Sequence, residues 1–162
     1  MKITKETIKS IILGEGKDFQ RFEMIENFVN YASEHEDVKF LVAILKNDKS
    51  SIIRHEAAAQ LLKIEQKKPW LIDKLRSYVI EELLTVVLSD KSLVARHESA
   101  EALSYIGDKN VLETFENLIN SNITKDEIIE TVITARDTIK YRMDNNIKAS
   151  ELSASILKEI AT

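Results

Sequence analysis

Apolar residues recur at helical spacing along nearly the whole chain. Ile8, Ile11 and Ile12 form the first such stripe, with Thr4 placed to cap it and Gly14 and Gly16 to end it. Phe19, Phe22, Ile25, Phe28, Val29 and Ala32 predict a second amphipathic helix, broken by "SEHED" at 33–37. Asp37 is placed to cap a third, carrying Val38, Leu41, Val42 and Leu45. Ser50 or Ser51 opens a fourth, with Ile52, Ala58, Leu61, Leu62 and Ile64 facing inward. After the polar loop "EQKKPW", Pro69 stands where a fifth helix begins, and the pattern carries it from Trp70 to Leu88. Ser92 caps the sixth and Gly107 closes it; "NVLETFENLIN" is the seventh. The eighth runs from Thr124 to about Arg142. Ser150 opens the last, with Leu152, Ile156, Leu157 and Ile160 on its apolar face. No stretch alternates as a strand does. The pattern predicts an all-α chain.

The predicted helices repeat. Residues 41–64 align with 83–106 at an offset of 42, with ten identities in 24 positions, from Leu41/Leu83 through Asp48/Asp90, Lys49/Lys91 and Ser50/Ser92 to Ile64/Ile106. A period of about 40 residues built from two helices is the signature of a HEAT-type solenoid, in which each hairpin buries its apolar face against its neighbours. Ile129, Val132 and Ala135 reproduce the spacing of Val94, His97 and Ala100 at an offset of 35, with Val132 at the histidine position. The expected architecture is one domain over 1–162: a short HEAT-like α-solenoid of about four hairpins with a C-terminal capping helix.

Composition narrows the function classes. With 44% apolar and 31% charged residues the chain reads as globular, and the net charge of −4 argues against nucleic acid as a partner. The apolar run near the N-terminus is too short for a membrane span or a signal peptide, so the expected location is cytoplasmic. Three Gly and one Pro fit long helices with short connections, and the absence of Cys leaves His, carboxylate and water as metal ligands. Trp70, Tyr78 and Tyr105 occupy apolar helical positions and are expected in the core. No nucleophile triad, phosphate loop or dinucleotide fingerprint is present.

The candidate chemistry lies in a duplicated triplet. The chain has three histidines, and two of them sit in matching Arg-His-Glu sequences at 54–56 and 96–98. Both are expected in the first turn of the second helix of a hairpin, on helices about 10 Å apart that line a concave surface. His55, Glu56, His97 and Glu98 would then offer imidazole nitrogens and carboxylate oxygens from two sides. Such a set suits Fe(II), Mn(II) or Zn(II), and without sulfur it favours non-haem iron. The bland reading is that Glu complements the helix dipole, His bonds a neighbouring loop, and duplication copies both. His35 and Glu36 form a third His-Glu, out of phase with the repeat, with a capping role expected. Arg54 and Arg96 are expected to brace loops or carboxylates between hairpins.

"RHEAAAQLL" and "RHESAEALSYIGDKNVLETFENL" resemble the repeats of deoxyhypusine hydroxylase over residues 38–142. They are also similar to the wider phycobilisome-lyase-type HEAT-like repeats, many of which bind no metal. The first resemblance implies two irons held by His-Glu motifs, with His55, Glu56 and His97 as ligands and Glu98 as a ligand or a partner of one. That family carries four such motifs and this chain carries two in repeat context, which implies half of a di-iron site and a homodimer to complete it. Three expectations follow: a non-haem iron, oxygen-activating protein; a metal-free scaffold binding a protein or peptide in its concave groove; or a lyase-like helper in cofactor attachment.

Overall fold

A computed structural model describes residues 3–121 and 127–152. Among them lie nine α-helices: α1 Lys5–Leu13, α2 Asp18–Ile25, α3 His35–Asn47, α4 Ser51–Lys67, α5 Trp70–Asp73, α6 Arg76–Ser89, α7 Leu93–Ile106, α8 Lys109–Asn120 and α9 Ile129–Asp144. A 3-10 turn, Phe28–Asn30, follows α2, and no strand occurs among the described residues. The helices pair as hairpins α1–α2, α3–α4, α6–α7 and α8–α9. The second helices then stack in the order α2, α4, α7, α9, far more closely than α3 stacks on α6. The chain is an all-α solenoid with α2, α4, α7 and α9 as its inner row.

Burial follows the repeat. Leu41, Leu61, Leu83, Leu103, Phe115 and Ile139 are fully buried in one continuous core. Alanines at 57, 58, 95, 100 and 102 are also fully buried, and their small side chains let α4 and α7 approach each other. Thr4 caps α1 and Ser92 caps α7 through their hydroxyls, as their positions predict. Gly107 ends α7 with φ −64, so it serves through its lack of a side chain rather than through a left-handed backbone. Residues 149–152 are helical, while the capping-helix positions Ile156, Leu157 and Ile160, and the start of the eighth predicted helix at Thr124, lie outside the described residues.

Several local expectations are corrected. The second predicted helix stops at Ile25, and Phe19 stays exposed. The lost helical bonds are replaced from α4: Gln60 Nε2 donates to the Glu26 carbonyl at 2.6 Å, and Gln60 Oε1 accepts from Val29 N–H at 2.9 Å. Glu34, not Asp37, is the N-cap of α3; buried Asp37 accepts from Ser33 N–H and Glu34 N–H and contacts Lys5 and Lys9. The fifth predicted helix is two, α5 and α6, separated at Lys74–Leu75. Trp70 and Tyr78 are exposed, and of the three only Tyr105 packs against the core. Ile52 is exposed as well, because Ile53 is the residue that faces inward.

Candidate functional site

Each inner helix of the central hairpins starts from an Asp-Lys-Ser turn. The Asp48 and Asp90 carboxylates accept from Ser50 N–H and Ser92 N–H at 2.9 and 2.7 Å, which fixes the turn. Each carboxylate is also held by an arginine of the preceding inner helix, Arg21 to Asp48 and Arg54 to Asp90. Arg96 Nε donates to the Val87 carbonyl at 2.7 Å. Arg54 therefore braces the loop before α7, and Arg96 ties α7 to the last turn of α6. The triplets sit one turn deeper than the pattern suggested, since α4 starts at Ser51 and α7 at Leu93.

The histidines point along the stack. His55 Nδ1 lies 3.5 Å from the Val94 carbonyl oxygen and 3.6 Å from Glu98 Oε2, both on α7. The Val94 carbonyl can only accept, so this contact suits a ring with its N–H at Nδ1. His97 repeats this one hairpin on: its Nδ1 is 2.8 Å from Thr131 Oγ1 on α9, and its Nε2 is 3.9 Å from Glu101 Oε2.

The two glutamates differ. Glu56 is buried and used internally, accepting from Gln60 Nε2 at 2.8 Å and Lys63 Nζ at 3.4 Å. Glu98 receives no hydrogen bond from the described residues; His55 Nδ1 approaches it at 3.6 Å. Burial pushes its carboxyl above the usual range; His55 and His97 pull it down while Glu101 and Glu56 push it further up. All four residues singled out in the sequence thus share one electrostatic neighbourhood centred on Glu98. They do not converge on one point: no group of three His, Asp or Glu among the described residues is placed to hold a metal ion. The donor types, imidazole and carboxylate, are of the kind that first-row divalent metals take.

His35 stands apart, with Nδ1 2.8 Å from the Leu71 carbonyl, and Glu36 pairs with Lys39. Two residues not singled out in the sequence belong to the neighbourhood, Glu101 and Thr131. Glu101 stands four residues after His97, a helical spacing that could have flagged it; Thr131 aligns with Arg96, so the repeat gives it no signal. Between α7 and α9 a groove of about 500 Å³ is lined by His97, Glu101, Ser104, Tyr105, Thr131 and Thr138, among others.

No protein-family model matches the sequence, and no curated protein matches it either. Among solved structures, the chain is similar to human deoxyhypusine hydroxylase in complex with glycerol. The TM-score is 0.68 at 19% sequence identity, covering 89% of this chain and 46% of that one. The chain therefore spans about half the length of that structure. At this identity the likeness establishes a shared α-solenoid fold. No helix among the described residues is long and apolar enough to cross a membrane.

Proposed function

We propose that this chain is a metal-binding α-solenoid related to deoxyhypusine hydroxylase. In this reading it holds non-haem iron with His55, His97 and Glu98, and Glu56 stands behind them. The observation that carries it is the Glu98 carboxyl: 13% accessible, with no hydrogen bond from the described residues, and 3.6 Å from His55 Nδ1 of the preceding hairpin. A buried carboxyl without donors is costly unless a cation completes it. With His55 Nδ1 against the Val94 carbonyl and His97 Nδ1 against Thr131 Oγ1, the Nε2 atoms of both rings are the nitrogens left to bind. Iron with open positions would supply oxygen activation. Because three donors do not converge within the described residues, a second copy supplies the rest, across an isologous interface in which the two His-Glu faces meet.

The test is elemental analysis of protein purified without chelator or added metal, beside a His97→Ala control, with sedimentation run in Fe(II) and in chelator. Iron retained by the native chain and lost in the control, in a dimer that chelator weakens, is the expected result. A monomer at high micromolar concentration in Fe(II) would remove the shared site, and absence of metal in both proteins would remove metal binding altogether. The groove between α7 and α9 favours a second reading: a metal-free scaffold that takes a protein or peptide segment against its inner row.

A further inference from the structure

α9 carries a row of threonines, and one of them behaves unlike the others. Thr134 and Thr138 turn their hydroxyls back onto their own helix, donating to the Glu130 and Thr134 carbonyls at 3.0 and 2.9 Å. Thr131 instead reaches across to α7, where its Oγ1 lies 2.8 Å from His97 Nδ1. That contact is the short, well-made one in the histidine pair, since the corresponding contact of His55 to the Val94 carbonyl is 3.5 Å. His97 is also the more exposed ring, with its side chain 53% accessible against 27% for His55. An imidazole so exposed has little packing to fix its plane, and the hydrogen bond to the next helix is what does so.

We infer that Thr131 is a positioning residue for His97, accepting the Nδ1–H so that the ring is locked in one tautomer and offers Nε2 toward Glu101 and the groove. The inference rests on the metal-binding reading for its purpose, not for its geometry. Thr131 does for His97, with a side-chain oxygen, what Val94 does for His55 with a backbone oxygen. In both cases the next inner helix dictates which nitrogen of the preceding one is exposed. Nε2 of His97 lies 3.9 Å from Glu101 Oε2, beyond hydrogen-bond reach, so no acceptor among the described residues is placed to take a proton from Nε2. A neutral ring has one N–H; the Thr131 hydroxyl can accept or donate, and it is the lack of a described acceptor within reach of Nε2 that favours Nδ1. Losing such a supporting contact lowers the affinity of a metal-binding histidine by about ten- to a hundredfold.

The experiment has two arms. In metal-free protein, long-range proton–nitrogen NMR reads the tautomer of His97 in the native chain, Thr131→Val and Thr131→Ser, with circular dichroism confirming that each is folded. In parallel, the three proteins are titrated with Fe(II) under anaerobic conditions. The native chain and Thr131→Ser are expected to show the Nδ1–H form of His97, and Thr131→Val a mixture of the two forms. Fe(II) affinity is expected to fall by about ten- to a hundredfold in Thr131→Val and to be restored in Thr131→Ser. An Nε2–H ring in the native chain, or a tautomer unmoved in Thr131→Val, would overturn the inference. If none of the three binds Fe(II), the metal-binding reading fails, and the NMR arm still decides the role of Thr131.

Discussion

The guanidinium of Arg54 on α4 grips the carboxylate of Asp90, in the turn before α7, through two hydrogen bonds of 2.8 Å, Nε to Oδ2 and Nη2 to Oδ1. Arg21 makes the corresponding contact with Asp48 one hairpin earlier. Arg21 gives Asp48 one bond, from Nη2, and directs its Nε to the Ile12 carbonyl, so only Arg54 makes the full fork, but both tie successive repeats at the loop edge. The Arg54 and Asp90 side chains are only 14% and 11% accessible, so water screens the pair weakly.

Arg54→Ala should lower unfolding stability by about 2 kcal/mol, the cost of leaving a half-buried carboxylate without its fork. Arg54→Lys should fall between the two, because an ammonium cannot make both bonds at once. Urea unfolding measures both; a loss below about 0.5 kcal/mol for the alanine variant would rank the contact with ordinary surface ion pairs.

Acid stability should track Asp37. Burial pushes its carboxyl up, but hydrogen bonds from Lys9, Ser33 N–H and Lys5 outweigh this and hold it below the usual range. A carboxylate lowered in the folded state contributes stability that is fully present above its unfolded value, about 3.9, and lost as pH falls through the folded value. Asp37→Asn should therefore be less stable than the native chain at pH 7, with the gap closing under acid. A gap that persists undiminished at pH 2 would trace to packing instead of charge.

Glu98 should behave in the opposite sense. Burial raises its carboxyl, so the folded state is penalised as pH rises from the unfolded value, about 4.3, through the folded one. Glu98→Gln should raise the thermal midpoint of metal-free protein by a few degrees at pH 7 and leave it unchanged below about pH 4. A destabilised glutamine variant at pH 7 would show that the ionised carboxylate is better paired than the structure indicates.

Gly107→Ala tests the tightest packing at the end of α7. A Cβ there would collide with the Leu103 carbonyl and stand 3.1 Å from Ile139 Cδ1 and 3.2 Å from Val111 Cβ. With α7, α8 and α9 all meeting at this point, the expected loss is about 2 kcal/mol by denaturant titration. A neutral substitution would mean that the helix end relaxes freely.

The hairpins were legible in the sequence because a repeat copies its apolar face, and Leu41/Leu83 and Leu61/Leu103 are indeed core pairs. The caps Thr4 and Ser92 could be read because capping is decided within a few residues. What escaped were features set by distant partners. The early end of α2 depends on Gln60, more than thirty residues on. The exposure of Trp70 and Tyr78 depends on which of two overlapping stripes meets a neighbour, and periodicity does not tell them apart. At the site, the spacing suggested that all four His and Glu side chains converge. Glu56 instead turns inward, held by Gln60 and Lys63 at helical spacings of four and seven residues. The contact of Thr131 with His97 was hidden because the repeat aligns Thr131 with Arg96, and Ile129 with the Val94 that meets His55.

The bonds that Gln60 makes to Glu26 and Val29 have a kinetic meaning. Where α2 breaks off, the first hairpin leaves a carbonyl and an amide that only the second hairpin can satisfy. Lys68 adds to this by donating to the Val29 and Ala32 carbonyls at 2.8 and 2.7 Å. The N-terminal repeat cannot complete its own backbone hydrogen bonding before α4 has formed, so order must spread toward the N-terminus, not from it. In hydrogen exchange the Val29 amide would then open together with the middle of α4, although it lies in the outermost repeat, where fraying ordinarily begins.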